Sequence, residues 1–244
     1  MKLLYFILFL PTFFFGQSQL DTVKTFITAK KFDIAESSLK EYLIANPNST
    51  EAIELLGDVF GQQKKWDEAI VNYKKLVEFK PNKANYHYKY GGALGMKALS
   101  VNKIKALSII GDVKAAFLKA AELDKNHIDT RWALVQLYMQ LPGIVGGSKS
   151  KALEFANQLE KLSKVDGYLA KGYIYENDKE PEIAESYYKK AVSIGGSITC
   201  YNKLTQFYIA QNQHKKAIEN LKTAYRIHKN EELLNQIQEL EKNL

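Results

Sequence analysis

The side chains that most often do chemistry in proteins are few in this chain and stand far apart. Its 244 residues include four histidines and one cysteine. The histidines are His87, His127, His214 and His228. No two of them have the i, i+4 spacing that lets one helix face offer two imidazoles to a metal ion. Cys200 has no histidine near it in sequence, so we interpret it as a small buried hydrophobic residue. The pattern predicts no metal site and no cofactor.

The acidic residues do not suggest a catalytic pair either. The 27 Asp and Glu side chains are spread at intervals typical of solvated helix faces. No two of them stand out as a general acid beside a general base. The sequence contains no GxSxG, Walker or dinucleotide-binding motif. We therefore expect that the protein is not an enzyme.

One loop has the composition of an anion site. It consists of Gly146, Gly147, Ser148 and Lys149. The loop precedes a predicted helix, and the free N–H groups of a helix N-terminus attract anions. It matches neither GxxxxGK[ST] nor GxGxxG, and Pro142 followed by glycines is also what a tightly shaped connection requires. The sequence is compatible with two interpretations of this loop, an anion-binding site and a structural turn.

The elements that would position any site can be read from residues 50–81. Two helical stripes of apolar residues lie there, one formed by Leu56, Gly57 and Phe60 and the other by Ala69, Tyr73 and Leu76. Gly57 and Ala69 are small where two helices would cross, and the short polar break between the stripes predicts antiparallel packing. Such a hairpin cannot bury its apolar face alone, so it needs a neighbouring hairpin.

The same pattern returns at a fixed interval. Pairs 34 residues apart are Ala35 and Ala69, Pro47 and Pro81, and Gly57 and Gly91, while Ala184 and Ala217 are 33 apart. A period of this size predicts a helical solenoid, and residues of these types at this spacing resemble the tetratricopeptide repeat (TPR) motif. The resemblance implies an all-α, right-handed, TPR-like α-solenoid over residues 19–244. We expect about six helix-turn-helix units and a C-terminal capping helix over Glu231–Leu244.

Two hairpins depart from the regular pattern. The third holds about ten extra residues within Leu99–Gly111, which predicts a second helix lengthened by several turns and beginning near Asn102. The apolar edge of this extension is formed by Ile104, Leu107 and Ile110. Burial against a neighbouring hairpin is the expected role of this edge, and contact with a partner is the alternative. The fourth hairpin has a long connection over residues 141–148.

The N-terminus has the features of an export signal. One lysine precedes the apolar run Leu3–Phe15, which is short for a membrane span and suits a signal-peptide core. Cleavage after Ser18 fits the preference for small residues, cleavage after Gly16 is the rival, and an uncleaved anchor is a further alternative. No cysteine near this point could carry a lipid anchor. Residues 1–18 are thus predicted to be a signal peptide, and one cysteine in an exported chain favours the periplasm over secretion.

The chain is mildly basic, with a formal net charge of +7. Its lysines recur as neighbouring pairs along helix faces and turns, for example Lys64–Lys65 and Lys215–Lys216. A solvated face is the simpler interpretation, and weak contact with anionic envelope surfaces is the functional one. The export signal and the lack of a nucleic-acid-binding motif argue against a nucleic-acid partner.

In TPR proteins the first helices of successive hairpins line a concave groove. By resemblance, the groove residues of this chain are Asn85, Tyr88, Met96, Trp132, Gln136, Met139, Gln140, Tyr173, Asn177, Asn202 and Gln206. Some of these side chains could instead pack between hairpins. Aromatic rings and amides suit an extended peptide or a glycan. The subgroup that grips a C-terminal carboxylate needs Lys and Asn at its groove positions, but Glu54 and Asp58 stand at the matching places here.

The resemblance therefore implies an interaction protein. We expect a non-enzymatic scaffold of the bacterial cell envelope that binds a peptide or protein partner in a TPR groove. A module that binds a glycan or another small ligand through the surface around Trp132 and Tyr173 is the alternative.

Overall fold

A computed structural model describes residues 12–242, with side chains from residue 19 onward. The described chain is all-α and forms two compact units, Met1–Leu123 and Asp124–Leu244. The helices of unit 1 are α1 (Thr12–Thr28), α2 (Phe32–Ala45), α3 (Thr50–Gln62), α4 (Trp66–Phe79), α5 (Ala84–Ser100) and α6 (Lys103–Leu123). Those of unit 2 are α7 (Ile128–Gln140), α8 (Lys149–Leu162), α9 (Lys164–Asn177), α10 (Pro181–Gly195), α11 (Ile198–Ala210), α12 (His214–His228) and α13 (Glu231–Lys242).

The helices pair as antiparallel hairpins, and the predicted TPR-like solenoid fold is confirmed. Each hairpin packs on its neighbour within its own unit, as α2 packs on α3 and α10 packs on α11. The capping helix α13 packs on α12 and buries Leu233 and Ile237. Among the described residues, no helix has the length and apolar content needed to span a bilayer. Of the predicted signal peptide, residues 1–11 lie outside the described residues, and α1 includes the backbone of residues 12–18.

Small residues sit where the two helices of a hairpin cross. A Cβ added to Gly57 would lie 2.7 Å from the Tyr73 ring, and one added to Gly172 would lie 2.6 Å from the Tyr188 ring. Both distances are shorter than a normal carbon–carbon contact, so the aromatic ring occupies the space that a side chain would need. This is the physical reason why glycine recurs at about the repeat interval.

The hairpin turns share a backbone conformation that the sequence pattern did not predict. Four turns place a residue other than glycine in the left-handed region, namely Lys30, Lys64, Lys179 and Asn212, with φ between 56° and 61°. At each turn the following residue donates its N–H to a carbonyl five residues back, as Lys65 does to Phe60 at 2.9 Å. These hydrogen bonds satisfy carbonyls at the C-terminus of the first helix and hold the reversal tight.

Helix starts are fixed by serine caps. Ser49, Ser148, Ser163 and Ser197 each accept a hydrogen bond at the side-chain oxygen from the N–H three residues on. Ser163 also ends α8, so a single residue joins α8 to α9.

Cys200 lies on α11 with 1% of its surface exposed, and its sulfur accepts a hydrogen bond from the Ser197 hydroxyl at 3.3 Å. The interpretation of Cys200 as a buried hydrophobic residue is confirmed.

The third hairpin is lengthened as predicted, but its apolar edge is not buried. Helix α6 has 21 residues, and the Asn102 side-chain oxygen caps it by accepting from the N–H of Lys105 at 3.0 Å. Ile104 is 82% exposed and Leu107 is 55% exposed. Burial of this edge against a neighbouring hairpin is therefore wrong for Ile104 and Leu107, because no element of the described chain covers these two side chains, whereas Ile110 is half-buried.

Candidate binding surface

The first helices of the three hairpins of unit 2 form one continuous surface. Helix α9 lies between α7 and α11 and contacts both of them. The predicted groove residues on these helices are Trp132, Gln136, Met139 and Gln140 on α7, Tyr173 and Asn177 on α9, and Asn202 and Gln206 on α11. The structure thus gathers eight of the eleven predicted residues on three adjacent helices of one unit. We call them the first-helix face of unit 2.

The side chains of this face fall into two groups. Gln136, Gln140, Asn177 and Gln206 are exposed, whereas Trp132, Met139, Tyr173 and Asn202 are half-buried. The exposed members are all carboxamides, which both donate and accept hydrogen bonds. None of the eight carries a charge, although the chain as a whole is basic. The face is therefore an uncharged hydrogen-bonding surface over a partly apolar floor.

Trp132 serves to join helices as well as to form part of this floor. Its indole N–H donates to the Asp166 side chain at 3.0 Å, which links α7 to α9, and its ring packs against the core cluster around Leu169 and Leu204. The tryptophan therefore holds the spacing of the first two helices of the face. Its only polar group is engaged by Asp166 and is not free to bind a ligand.

The amides of α9 and α11 differ in their hydrogen bonds. The Asn177 side chain donates to the Tyr173 carbonyl one turn back at 2.8 Å. The side-chain oxygen of Asn202 is buried and has no hydrogen-bond partner among the described residues. An unsatisfied buried acceptor costs about 1–3 kcal/mol, so a rotation of Asn202 that lets this oxygen meet a donor on a bound partner would be favourable.

A buried tyrosine supports the face from below. The Tyr188 hydroxyl donates to Glu176 at 2.6 Å, and the Tyr188 ring packs beneath Gly172. Burial, together with the hydrogen bond to the Glu176 carboxylate, raises the pKa of Tyr188 well above its usual range. The phenol therefore stays neutral at physiological pH and remains a donor that fixes Glu176.

The other three predicted groove residues belong to α5 of unit 1. Asn85 donates to Glu54 at 3.4 Å, and the Tyr88 ring lies 6.1 Å from the Phe117 ring. Met96 is 43% exposed near the end of α5. Asn85 and Tyr88 thus make contacts within unit 1, between hairpins and within the third hairpin respectively. This is the packing role that the sequence left open for them.

Beside them lies an ion-pair network that the sequence did not reveal. Lys89 of α5 contacts both Glu54 and Asp58 of α3 at 2.7 Å, and the Tyr73 hydroxyl donates to Asp58 at 2.7 Å. Burial alone would lower the pKa of Lys89, but the hydrogen bonds to Asp58 and Glu54 outweigh it and raise the pKa. The lysine is therefore a charged cross-link between the second and third hairpins.

The glycine-rich loop is a shaped connection. Gly146 has φ +97°, and a Cβ on Gly147 would lie 1.8 Å from the Leu141 carbonyl oxygen. The Lys149 ammonium is held by Asp178 and Glu180 of the next hairpin. Hydrogen bonds to these two carboxylates raise the pKa of Lys149. Because its charge is already balanced by two acidic groups, the geometry favours the structural turn over an anion loop.

Similar pairs tie other neighbouring hairpins together. Lys65 contacts Glu36 at 2.8 Å and Lys216 contacts Glu185 at 3.3 Å, with partners 29 and 31 residues apart in sequence. Lysines that the sequence assigned to a solvated face thus form ion pairs between hairpins. A search for opposite charges slightly less than one repeat apart would have found them.

Among the described residues, no group of three or more His, Cys, Asp and Glu side chains could hold a metal ion.

Comparisons with known proteins agree with this geometry. Residues 57–97 match a family model described as TPR repeat, and residues 165–194 match one described as tetratricopeptide repeat. No curated protein matches the sequence significantly.

Three solved structures illustrate the likeness. A tetratricopeptide repeat protein from Parabacteroides merdae ATCC 43184 is 13% identical with a TM-score of 0.62, covering 86% of this chain and 79% of that one. PilW, a widely conserved type IV pilus biogenesis factor, is 14% identical with a TM-score of 0.64, covering 91% and 98%. YrrB, a TPR protein with an unusual peptide-binding site, is 15% identical with a TM-score of 0.52, covering 75% and 87%. At these identities the likeness shows the fold.

Proposed function

Because the chain carries tetratricopeptide repeats and has their fold, we propose that it is a non-enzymatic scaffold that binds an extended segment of a partner protein. The proposed site is the first-helix face of unit 2. TPR proteins are in general interaction scaffolds, and YrrB, which has the same fold, is described as having a peptide-binding site.

The observation that carries the proposal is the row of exposed carboxamides on three adjacent helices. Gln136 and Gln140 on α7, Asn177 on α9 and Gln206 on α11 offer donors and acceptors to a peptide backbone, which has both at every residue. Packed helices lie about 8–10 Å apart, so the three helices span roughly 20 Å. That distance corresponds to about six residues of extended chain.

A peptide is favoured over a glycan at this face. Glycan recognition would use the flat ring and the N–H of Trp132, but the N–H is bound to Asp166 and the ring packs on the core of unit 2. Replacing Trp132 and Tyr173 together by alanine should abolish binding of either ligand. Because Trp132 also links α7 to α9, that double variant does not separate a lost contact from a displaced helix.

A photo-crosslinking amino acid placed on the exposed amides is a sharper test. We expect a crosslinker at Gln136 or Gln206 to capture the same partner protein in cells of the native host. Asn157 on α8 and Gln238 on α13 are exposed amides that lie outside the face, so they are matched controls. Adducts of equal yield from all four positions, or adducts from the control positions alone, would place the partner elsewhere.

The proposed setting of the scaffold is the cell envelope, most simply the periplasm. Support comes from the apolar run Leu3–Phe15 and the small residues that follow it. N-terminal sequencing of protein recovered from the host envelope tests the proposal. We expect a chain that begins at Gln19, and cleavage after Gly16 would give one that begins at Gln17. A chain in the cytoplasm that still begins at Met1 would contradict export.

A further inference from the structure

The third hairpin reaches beyond the length of its neighbour. Gly91 packs on Phe117 as Gly57 packs on Tyr73, which aligns α5 with α3 and α6 with α4. On this alignment, α5 continues four residues past the equivalent of Gln62, and α6 begins seven residues before the equivalent of Trp66. At 1.5 Å per residue the hairpin projects about 6–10 Å farther. We call residues 97–109 the hairpin extension.

The end of the extension exposes large apolar side chains. Leu99 in the last turn of α5 is 72% exposed, and Ile104 and Leu107 at the start of α6 are 82% and 55% exposed. The three residues are close in sequence on either side of the reversal between the two helices. Exposed apolar side chains at a projecting end indicate a contact site, because water solvates them poorly.

The charge around this end has one sign. Between Glu78 and Asp112 the sequence has no acidic residue and six lysines, at positions 80, 83, 89, 97, 103 and 105. Lys89 and Lys97 form ion pairs with acidic residues of the second hairpin. Lys103 and Lys105 are exposed, flank Ile104, and form no ion pair with any described residue. The most exposed isoleucine of the extension thus lies between two uncompensated positive charges.

We propose that the hairpin extension docks on the anionic phospholipid surface of a membrane. Leu99, Ile104 and Leu107 would enter the boundary between head groups and acyl chains, while Lys103 and Lys105 contact lipid phosphates. Exposed apolar side chains next to lysines are the combination that holds proteins at a bilayer interface. A projecting end can reach a flat bilayer surface.

Charge argues against a second copy of the chain as the occupant. Two copies meeting at this end would bring both pairs of unpaired lysines together, which costs free energy by like-charge repulsion. Anionic lipid instead neutralises them. The site lies on unit 1 and does not depend on the peptide-binding role proposed for the first-helix face of unit 2.

Tryptophan fluorescence tests the docking at the level of single residues. In a background in which Trp66 and Trp132 are both replaced by phenylalanine, the Ile104→Trp protein is mixed with vesicles of phosphatidylcholine and phosphatidylglycerol whose acyl chains carry bromine, a contact quencher. Ile44→Trp is the matched control, because Ile44 is 83% exposed and lies in unit 1 at the end of α2. We expect a blue shift and loss of emission for Ile104→Trp and neither change for Ile44→Trp. Because bromine quenches only a tryptophan that it contacts, insertion of the apolar N-terminal run alone would not quench the tryptophan at position 104.

A second arm tests the role of charge. In the Ile104→Trp background, replacing Lys103 and Lys105 by glutamine should raise the phosphatidylglycerol vesicle concentration for half-quenching about thirtyfold. The same change at Lys74 and Lys75, an exposed pair on α4, should leave it nearly unchanged. The proposal would be overturned if the tryptophans at positions 104 and 44 were quenched alike, or if neither were quenched. It would also be overturned if replacing Lys103 and Lys105 left the vesicle concentration for half-quenching unchanged. Self-association that Leu107→Ser abolishes would overturn it in favour of a second copy.

Discussion

Adjacent glycines on α5 give a matched pair of substitutions with opposite expected effects. Gly91 and Gly92 are both in the interior of the same helix. A Cβ on Gly91 would lie 2.9 Å from a carbon of the Phe117 ring and 3.1 Å from the Ala116 Cβ, whereas a Cβ on Gly92 would meet nothing within 4 Å. We therefore expect Gly92→Ala to stabilise unit 1 and Gly91→Ala to destabilise it or leave it unchanged.

The magnitudes follow from two effects, one of which is common to both variants. Replacing glycine by alanine inside a helix raises the free energy of unfolding by about 1 kcal/mol. Forcing an extra methyl group into a packed contact lowers it by about 1–3 kcal/mol. Gly92→Ala should thus gain about 1 kcal/mol, and Gly91→Ala should lose between roughly 0 and 2 kcal/mol. Because helix propensity cancels between the variants, their difference of about 1–3 kcal/mol isolates the cost of packing the methyl group against Phe117 and Ala116.

Urea unfolding followed by tryptophan emission measures this difference. Unit 1 contains Trp66 and unit 2 contains Trp132, so a Trp132→Phe background leaves Trp66 as the sole reporter of unit 1. Adding Phe117→Leu to each variant should shrink the gap between them, since the smaller side chain leaves room for the methyl group. Equal stabilisation by both alanines would refute the claim that the close crossing of α5 and α6 requires glycine at position 91.

Three further substitutions are expected to weaken their own units. Gly167→Ala places a Cβ 2.3 Å from the backbone Cα of Glu160, so it should cost unit 2 about 3 kcal/mol or more in urea unfolding followed by Trp132 emission in a Trp66→Phe background. Ser163→Ala removes the cap of α9 and should cost about 1 kcal/mol by the same assay. Lys89→Ala should cost unit 1 about 1–3 kcal/mol near neutral pH, because Asp58 loses its charged partner. Since folding raises the pKa of Lys89, its contribution is complete below about 10.5 and is lost as pH rises through the folded value. The stability gap between wild type and Lys89→Ala should therefore close in alkaline buffer, and a gap that widens there would contradict the ion-pair assignment.

The repeat architecture was predictable because its cause is local and recurs. A glycine or alanine at each helix crossing is a steric requirement, so Gly57, Gly91 and Gly172 reveal the crossings in the sequence itself. The lengthened α6 was also predictable from a local pattern, since extra residues with helical periodicity must continue a helix. The composition of the first-helix face also followed from the repeat, although its binding of a partner stays a prediction.

What short-range patterns could not predict depended on which residues meet across hairpins. Periodicity showed that Ile104 and Leu107 share a helix face, but it could not show whether any element covers that face. The loop lysine Lys149 looked free for an anion because its partners Asp178 and Glu180 come about 30 residues later. Contacts of this kind are set by how hairpins stack, which short-range patterns do not encode.

The enclosure of Cys200 makes this thiol an intrinsic reporter of local opening. A reagent can reach the sulfur only when α11 separates from the helices around it, so the rate of thiol modification in native buffer measures how often that event occurs. The chain has no other cysteine, so the signal comes from a single known position in an unmodified protein. A partner that clamps α9 and α11 together would slow the reaction, which turns one buried sulfur atom into an assay for ligands of unit 2.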